Sequence, residues 1–186
     1  MSVLVQATDL EAGYRFPVVG PLSFSVSEGE VVGLWGANGA GKSTLLNAIG
    51  GSARVFAGEL RRAPGLRVGY QEQQPVRLPQ MPLKGSELLH YAGADEAPVP
   101  QRLRPWLDQR IDRLSGGQFQ LLSTWAVLAA RADLVILDEP TNNLDPAGEE
   151  ILVEILRTEV GRRAVLVVSH ERGFLDASCT RLIGIA

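Results

Sequence analysis

An α/β fold with a parallel sheet is predicted by two kinds of segment that alternate along the chain. Short runs of β-branched and apolar residues have the composition of strands buried on both faces. The stretches between them carry apolar residues at helical spacing, which predicts helices packed against the sheet. The predicted strands are Val31–Trp35, Leu66–Tyr70, Leu134–Leu137 and Ala164–Val168. The apolar stripes of the predicted helices are Leu45, Leu46 and Ile49; Leu121, Leu122, Trp125 and Leu128; and Ile151, Leu152, Ile155, Leu156 and Val160.

Two other segments depart from this alternation. Val3–Val5 and Leu22–Val26 alternate polar and apolar residues, and a turn signal at residues 27–30 follows, which predicts an antiparallel flank at the N-terminal side. The stretch from Pro75 to Gln109 is rich in Pro, Gly and Gln and has one helical pattern around Ser86–Tyr91. Together with the predicted helix that carries the stripe from Leu121 to Leu128, this stretch predicts a helical insertion over approximately residues 75–130.

Composition limits the classes of protein that the chain can represent. Its 186 residues, 45% of them apolar, predict a single domain over residues 1–186 rather than a disordered chain. A net charge of −3 argues against a dedicated nucleic-acid surface, so we expect no direct nucleic-acid binding. The lone Cys179 suits a reducing compartment, and neither a signal peptide nor an apolar run of membrane-spanning length is found. We therefore expect a soluble protein inside the cell.

A phosphate-binding loop follows the first predicted parallel strand. The pattern G-x-x-x-x-G-K-[ST] is matched at every fixed position by Gly36, Ala37, Asn38, Gly39, Ala40, Gly41, Lys42 and Ser43. Thr44, directly after them, is also predicted to bind the nucleotide. Glycines let backbone N–H groups curl around phosphate oxygens, and the helix that follows adds positive potential. Lys42 reaches the β- and γ-phosphates and Ser43 ligates Mg²⁺ in such loops. The predicted fold is therefore a P-loop NTPase core, with ATP and Mg²⁺ as cofactors.

Two carboxylates end another predicted strand. Asp138 and Glu139 follow Leu134–Leu137 directly, at the sheet edge where open α/β folds bind their ligands. Asp138 is predicted to hold the Mg²⁺ shell, while Glu139 polarises the attacking water.

Several further motifs resemble those of ABC ATPases. Residues 114–118 read Leu-Ser-Gly-Gly-Gln and look like the family's signature motif, just upstream of the acidic strand. Tyr14 resembles the adenine-stacking aromatic residue and Gln73 resembles the glutamine of the Q-loop, which also approaches the metal. Residues 141–145, ending in Asp145, match the D-loop, and His170 matches the switch histidine. Six elements in the family's order cover nearly the whole chain.

The resemblance implies how these motifs act. Ser115, Gly116, Gly117 and Gln118 would contact the γ-phosphate of a nucleotide held by a second subunit, so that two ABC domains close head-to-tail over two ATP molecules. A helix that begins at this point is an anion-binding end, which agrees with that role. His170 would contact the γ-phosphate in its own chain, next to the catalytic Glu139.

Two functional classes remain open at this point. The leading interpretation is the ATPase subunit of a transporter, peripheral on the cytoplasmic face of the membrane and bound to an integral membrane subunit. Leu66–Gln73 and the later residues 78–83 carry a local similarity to importers of the zinc and manganese type. The alternative is a ribosome-associated ABC ATPase of the F-subfamily, which residues 141–145 and 169–176 resemble. A module that only binds nucleotide is a third possibility, which Glu139 and His170 disfavour.

Overall fold

The computed structural model describes residues 2–73, 82–94 and 97–185. Within these ranges, five α-helices and eight strands follow one another along the chain. The strands are β1 (Val3–Gly13), β2 (Pro17–Ser27), β3 (Val31–Gly36), β4 (Arg54–Arg62), β5 (Val68–Gln71), β6 (Leu134–Asp138), β7 (Ala164–Val168) and β8 (Arg181–Ile185). The helices are α1 (Lys42–Gly50), α2 (Gly85–Tyr91), α3 (Gly116–Ala129), α4 (Pro146–Glu159) and α5 (Arg172–Ser178).

A five-stranded parallel sheet forms the centre, in the order β5-β6-β7-β3-β8. The register pairs Leu34 of β3 with Val168 of β7, and Asp138 of β6 with the same Val168. The carboxyl ends of β3, β6 and β7 therefore meet at one edge, where the chain continues into the phosphate loop, the acidic pair and the segment around His170.

The two faces of this sheet carry two separate hydrophobic clusters. Val165 and Val167 of β7 point into the cluster formed with α2, α3, α4 and α5. Leu166 and Val168 of the same strand point into the cluster formed with α1 and the antiparallel sheet. A strand that is buried on both faces has no polar side to alternate with, which explains its uniformly apolar sequence.

The antiparallel flank is confirmed and is larger than the sequence predicted. It has three strands in the order β2-β1-β4, and β4 was not anticipated. β8 and the short helix α5 were not anticipated either. Val160 was assigned to the stripe of α4, but the helix ends at Glu159 and the Val160 side chain is exposed.

The predicted insertion contains α2 and two 3-10 turns, Arg104–Trp106 and Ile111–Arg113, ahead of α3. Residues 74–81, which include residues 78–81 of the importer-like similarity, lie outside the described residues, as do residues 95 and 96. The division of the chain into one domain with an insertion over about 75–130 stays a prediction. Among the helices in the described ranges, none is long and apolar enough to cross a membrane.

Candidate functional site

The phosphate loop joins the end of β3 to the start of α1 in a conformation that requires glycine. Gly39 and Gly41 have φ values of 86° and 88°, in the left-handed region that side chains disfavour. A Cβ on Gly41 would also lie 2.7 Å from the Cβ of Val19. Gly41, a fixed glycine of the motif, is therefore required both by backbone conformation and by close packing.

Lys42 is buried at the first position of α1. Its ammonium donates hydrogen bonds to the carbonyl oxygens of Gly36 and Ala37, at 2.7 and 3.0 Å. Both acceptors belong to the loop itself, so the charge is held at the loop and not extended into solvent. Phosphate oxygens are stronger acceptors for an ammonium than neutral carbonyls are, and a ligand in the loop can recruit this group.

One cleft of about 360 Å³ brings the phosphate loop together with the acidic strand end. From the loop it is lined by Asn38, Gly39, Gly41, Lys42, Ser43 and Thr44. From other segments it is lined by Gln73, Asp138 and Glu139. Gly36, Ala37 and Ala40 complete the loop's backbone without lining the cleft.

Glu139 is buried at the end of β6 with a φ of 48°, which is rare for a residue with a side chain. Its amide donates to the Val168 carbonyl at 2.8 Å, so the neighbouring strand β7 holds the strained backbone in place. The Glu139 Oε2 atom lies 2.9 Å from His170 Nδ1 and accepts a bond from the His170 amide at 3.3 Å. The structure thus joins the two residues that were predicted to be catalytic.

The signature residues form a second cleft of about 420 Å³, separate from the first. Ser115 caps α3: its hydroxyl accepts from the Gln118 amide at 3.1 Å, while Gln118 Oε1 accepts from the Ser115 amide at 2.9 Å. Gly117 packs so closely on the Asn143 carbonyl that a Cβ would lie 3.0 Å from that oxygen. None of the phosphate-loop residues lines this cleft.

Asp145 lies on the signature cleft and not on the phosphate-loop cleft. Its Oδ1 accepts a hydrogen bond from the Gly148 amide at 2.7 Å, which makes it the N-cap of α4. Within one chain, Asp145 therefore has a structural role in addition to any contact with nucleotide.

Comparisons with known proteins agree with this arrangement. The family model described as ABC transporter matches residues 19–142, about two thirds of the chain. The chain is 36% identical over 178 residues to the zinc import ATP-binding protein ZnuC of Cereibacter sphaeroides, covering 91% of this chain and 73% of that protein. It is 38% identical over 182 residues to the ZnuC of Paracoccus denitrificans, covering 92% and 71%. The chain belongs to the ABC transporter family.

Solved structures support the fold of this ABC ATPase. The ATP-binding subunit of an ABC transporter superposes with a TM-score of 0.77 at 25% identity, covering 98% of this chain and 85% of that one. An ATP-binding cassette of an ABC transporter gives a TM-score of 0.80 at 18% identity, which shows the fold alone. The chain is thus an ATP-binding and ATP-hydrolysing domain of the transporter type, and the F-subfamily alternative is not favoured.

Tyr70 is a member of the site that the sequence did not reveal. Its hydroxyl donates to Asp138 Oδ2 at 3.2 Å. Burial raises the pKa of Asp138, the adjacent Glu139 adds to the rise, and Tyr70 and Lys42 oppose it. Burial and the Asp138 carboxylate also raise the pKa of Tyr70, which therefore stays protonated as a donor. The spacing of 68 residues between the two partners hides this contact in the sequence.

The residues of the first cleft fit a magnesium ion that is held partly by phosphates. Mg²⁺ prefers oxygen ligands and usually takes only one or two from the protein side of a nucleotide site. Ser43, Asp138 and Gln73 offer a hydroxyl, a carboxylate and an amide oxygen on one cleft. Over residues 2–73, 82–94 and 97–185, no group of three or more His, Cys, Asp or Glu side chains could hold a metal alone.

A cleft of about 870 Å³, larger than either of these two, lies elsewhere in the described part of the chain, between α3, α4 and the segment before the first 3-10 turn. Trp125, Glu159 and Arg163 line it, and none of the predicted site residues does. The phosphate loop and the acidic strand end therefore lie away from this larger cleft, at the carboxyl edge of the parallel sheet.

Proposed function

We propose that the first cleft binds Mg-ATP through the residues that the sequence singled out. Residues 36–44 supply backbone N–H groups, and Lys42 supplies the charge that faces the β- and γ-phosphates. Tyr14 stacks on the base, as the resemblance to ABC ATPases implies. Ser43, Asp138 and Gln73 supply the protein's oxygen ligands for Mg²⁺. The ion neutralises charge on the phosphate oxygens when it is bound. The support is that these segments, separated by up to about 100 residues in the chain, line one cleft.

In the same proposal, Glu139 orients the attacking water and accepts its proton. The carboxylate is buried, and the His170 amide and ring nitrogen hold its Oε2 atom, so that its direction is fixed before the substrate arrives. His170 is more exposed than Glu139 and can move toward the γ-phosphate without unfolding the sheet edge. His170 therefore acts both on Glu139 and on the phosphate.

We further infer that two chains pair head-to-tail. The cleft of Ser115, Gly116, Gly117 and Gln118 is an anion-binding helix end that shares no lining residue with the phosphate loop of its own chain. A second ABC domain, turned by a two-fold rotation, would bring each signature to the other chain's nucleotide. Asp145, on the same cleft, would then lie at the boundary between the chains.

We also propose that the chain drives a transporter from the cytoplasmic face of a membrane, bound to an integral membrane subunit. Its relatives are named as ATP-binding proteins of zinc import, and zinc is the first cargo to test on the support of those names alone. Of the apolar residues in the insertion that could receive such a subunit, Leu89 is buried and Leu83 and Leu88 pack against the core. Tyr91 is 75% exposed and is the candidate contact.

Glu139→Gln tests the catalytic assignment. The substitution keeps the shape but removes the proton acceptor, so we expect turnover to fall by about 10²–10⁴-fold while Mg-ATP binding persists. ATP hydrolysis, binding of a fluorescent nucleotide and size-exclusion chromatography with Mg-ATP are the measurements, and a dimer should accumulate. Glu171→Gln is the matched control, because Glu171 contacts Thr141 and does not line the cleft. Wild-type turnover in Glu139→Gln would refute the role of Glu139.

A further inference from the structure

Tyr14 occupies a constrained position in a tight hairpin turn. The turn is residues 14–16, and the strands that flank it close with Gly13 of β1 paired to Pro17 of β2. A side chain on Gly13 would collide with the Phe16 carbonyl, so the backbone approaches itself closely at this turn. Tyr14 and Phe16 are 54% and 68% exposed. The turn is thus tight, while both rings are largely exposed.

One of these two rings is attached to the rest of the molecule. The Asn47 Nδ2 atom donates to the Tyr14 hydroxyl at 2.7 Å, across 33 residues of sequence. Asn47 lies on α1, and its own carbonyl accepts from the amides of Ser52 and Ala53 at 2.7 and 3.1 Å. The backbone of Asn47 is therefore held by α1 and by the segment that follows the helix.

The place of Asn47 on α1 connects this contact to the phosphate loop. Ser43 is four residues earlier, so the two side chains lie on the same face of the helix. One helical turn is about 5.4 Å, and the Tyr14 hydroxyl is bound one turn beyond the residue proposed as a metal ligand. In the proposed function, the sugar and base of a nucleotide lie beyond its phosphates, toward this part of α1.

We propose that Asn47 is a positioning residue that holds the Tyr14 ring as the platform for the nucleotide base. The inference rests on the proposed function, in which the first cleft holds the phosphates of Mg-ATP and Tyr14 stacks on the base. An exposed tyrosine without an anchor loses rotamer freedom when a base stacks on it, and this loss weakens binding. A hydrogen bond from α1 fixes the ring before the nucleotide arrives, so the loss of rotamer freedom does not weaken nucleotide binding.

Two probes distinguish the base platform from the phosphate site: Mg-ATP and Mg-tripolyphosphate, which has no base. Asn47→Ala should weaken Mg-ATP binding by about two- to tenfold, the range expected for one net hydrogen bond. It should leave binding of Mg-tripolyphosphate and the thermal midpoint unchanged. Tyr14→Phe keeps the ring and removes the acceptor, and it should match Asn47→Ala. The double variant should be no weaker than either single variant, because both remove the same bond.

Three further variants make the outcome decisive. Asn47→Asp can accept a bond from the Tyr14 hydroxyl and should restore most of the Mg-ATP affinity relative to Mg-tripolyphosphate. Phe16→Ala removes the unattached ring of the same turn and should change neither affinity. Tyr14→Ala removes the platform and should weaken Mg-ATP by at least about fivefold, the lower range for stacking on an aromatic ring.

These results separate two kinds of failure. Wild-type Mg-ATP affinity in Tyr14→Ala would refute base stacking, which belongs to the proposed function. Weak Mg-ATP binding in Tyr14→Ala, together with wild-type affinity in both Asn47→Ala and Tyr14→Phe, would refute the role of Asn47 alone. Additive effects in the double variant would also refute it.

Discussion

Arg163 is predicted to stabilise the far end of the ABC domain, away from the nucleotide. Its Nε atom lies 3.0 Å from Glu159 Oε2, and the two side chains are only 27% and 6% exposed. The guanidinium also donates to the carbonyls of Leu128 and Ala130, the latter at 3.0 Å, where α3 ends. Arg163 therefore ties the segment after α4 to the end of the signature helix.

The loss of stability on removing the Arg163 guanidinium depends on the buried groups that are left without a partner. Arg163→Met keeps the apolar stem but leaves the Glu159 carboxylate buried without its ion pair. Breaking a buried pair in this way costs about 3–5 kcal/mol, and the partial exposure of Arg163 favours the lower figure. For a chain of this length, about 3 kcal/mol corresponds to a fall of roughly 6–12 °C in the melting temperature.

The effect should depend on pH with a defined sign. Burial raises the pKa of Glu159 above its ordinary value of 4.5, and Arg163 and Arg162 oppose that rise. Without Arg163 the folded-state pKa rises further. A carboxyl group with a raised folded-state pKa destabilises the fold when it is ionised, and this penalty disappears as the pH falls through that pKa. The difference between wild type and Arg163→Met should therefore be largest at alkaline pH and shrink toward pH 4.5.

Urea denaturation at pH 8 and at pH 5.5 measures both quantities. Arg162→Met is the matched control: Arg162 lines the same cleft but is not the ion-pair partner of Glu159, so its loss should cost less than about 1 kcal/mol. Glu159→Gln in the Arg163→Met background should recover part of the loss at pH 8. A loss below 1 kcal/mol at pH 8, or one that is equal at both pH values, would refute this reasoning.

Two predictions concern contacts with other molecules. Ser115→Arg should leave the affinity of a single chain for Mg-ATP unchanged and abolish turnover and ATP-dependent dimers, as nucleotide titration and size-exclusion chromatography would show; loss of single-chain binding would contradict the two-chain site. Tyr91→Glu should reduce recovery of the protein with the membrane fraction of its host without affecting Mg-ATP binding. Sedimentation of the wild type with ribosomes, and not with membranes, would overturn the transporter proposal.

The sequence was most informative where a short segment carries its own constraint. The phosphate loop could be predicted because its glycines satisfy a local backbone conformation, and β7 could be predicted because both of its faces are buried. β4 could not be predicted, since it lies beside β1 at the edge of the antiparallel sheet and most of its side chains are exposed. Only Phe56 and Leu60 are partly buried, so its sequence has no regular alternation of apolar and polar residues to reveal it.

The candidate site shows the same division between local and distant constraints. Glu139 and His170 were identified one at a time from their motifs, but their contact at 2.9 Å depends on the register of β6 against β7. Tyr70 and Asn47 act on residues 68 and 33 positions away, each through a single side-chain hydrogen bond. Such a contact leaves no periodic pattern in the sequence, so only the folded arrangement reveals these two residues.

The separation of the two clefts has a genetic consequence. With the proposed pairing, each site takes its phosphate loop from one chain and its signature from the other. A mixed dimer of Lys42→Ala and Ser115→Arg chains would collect both defects in one site and leave the second site wild type. A dimer of wild type with a chain that carries both substitutions would have one defect in each site and no intact one. The two mutations should therefore leave one active site when they lie in different chains of the dimer, and none when they lie in the same chain.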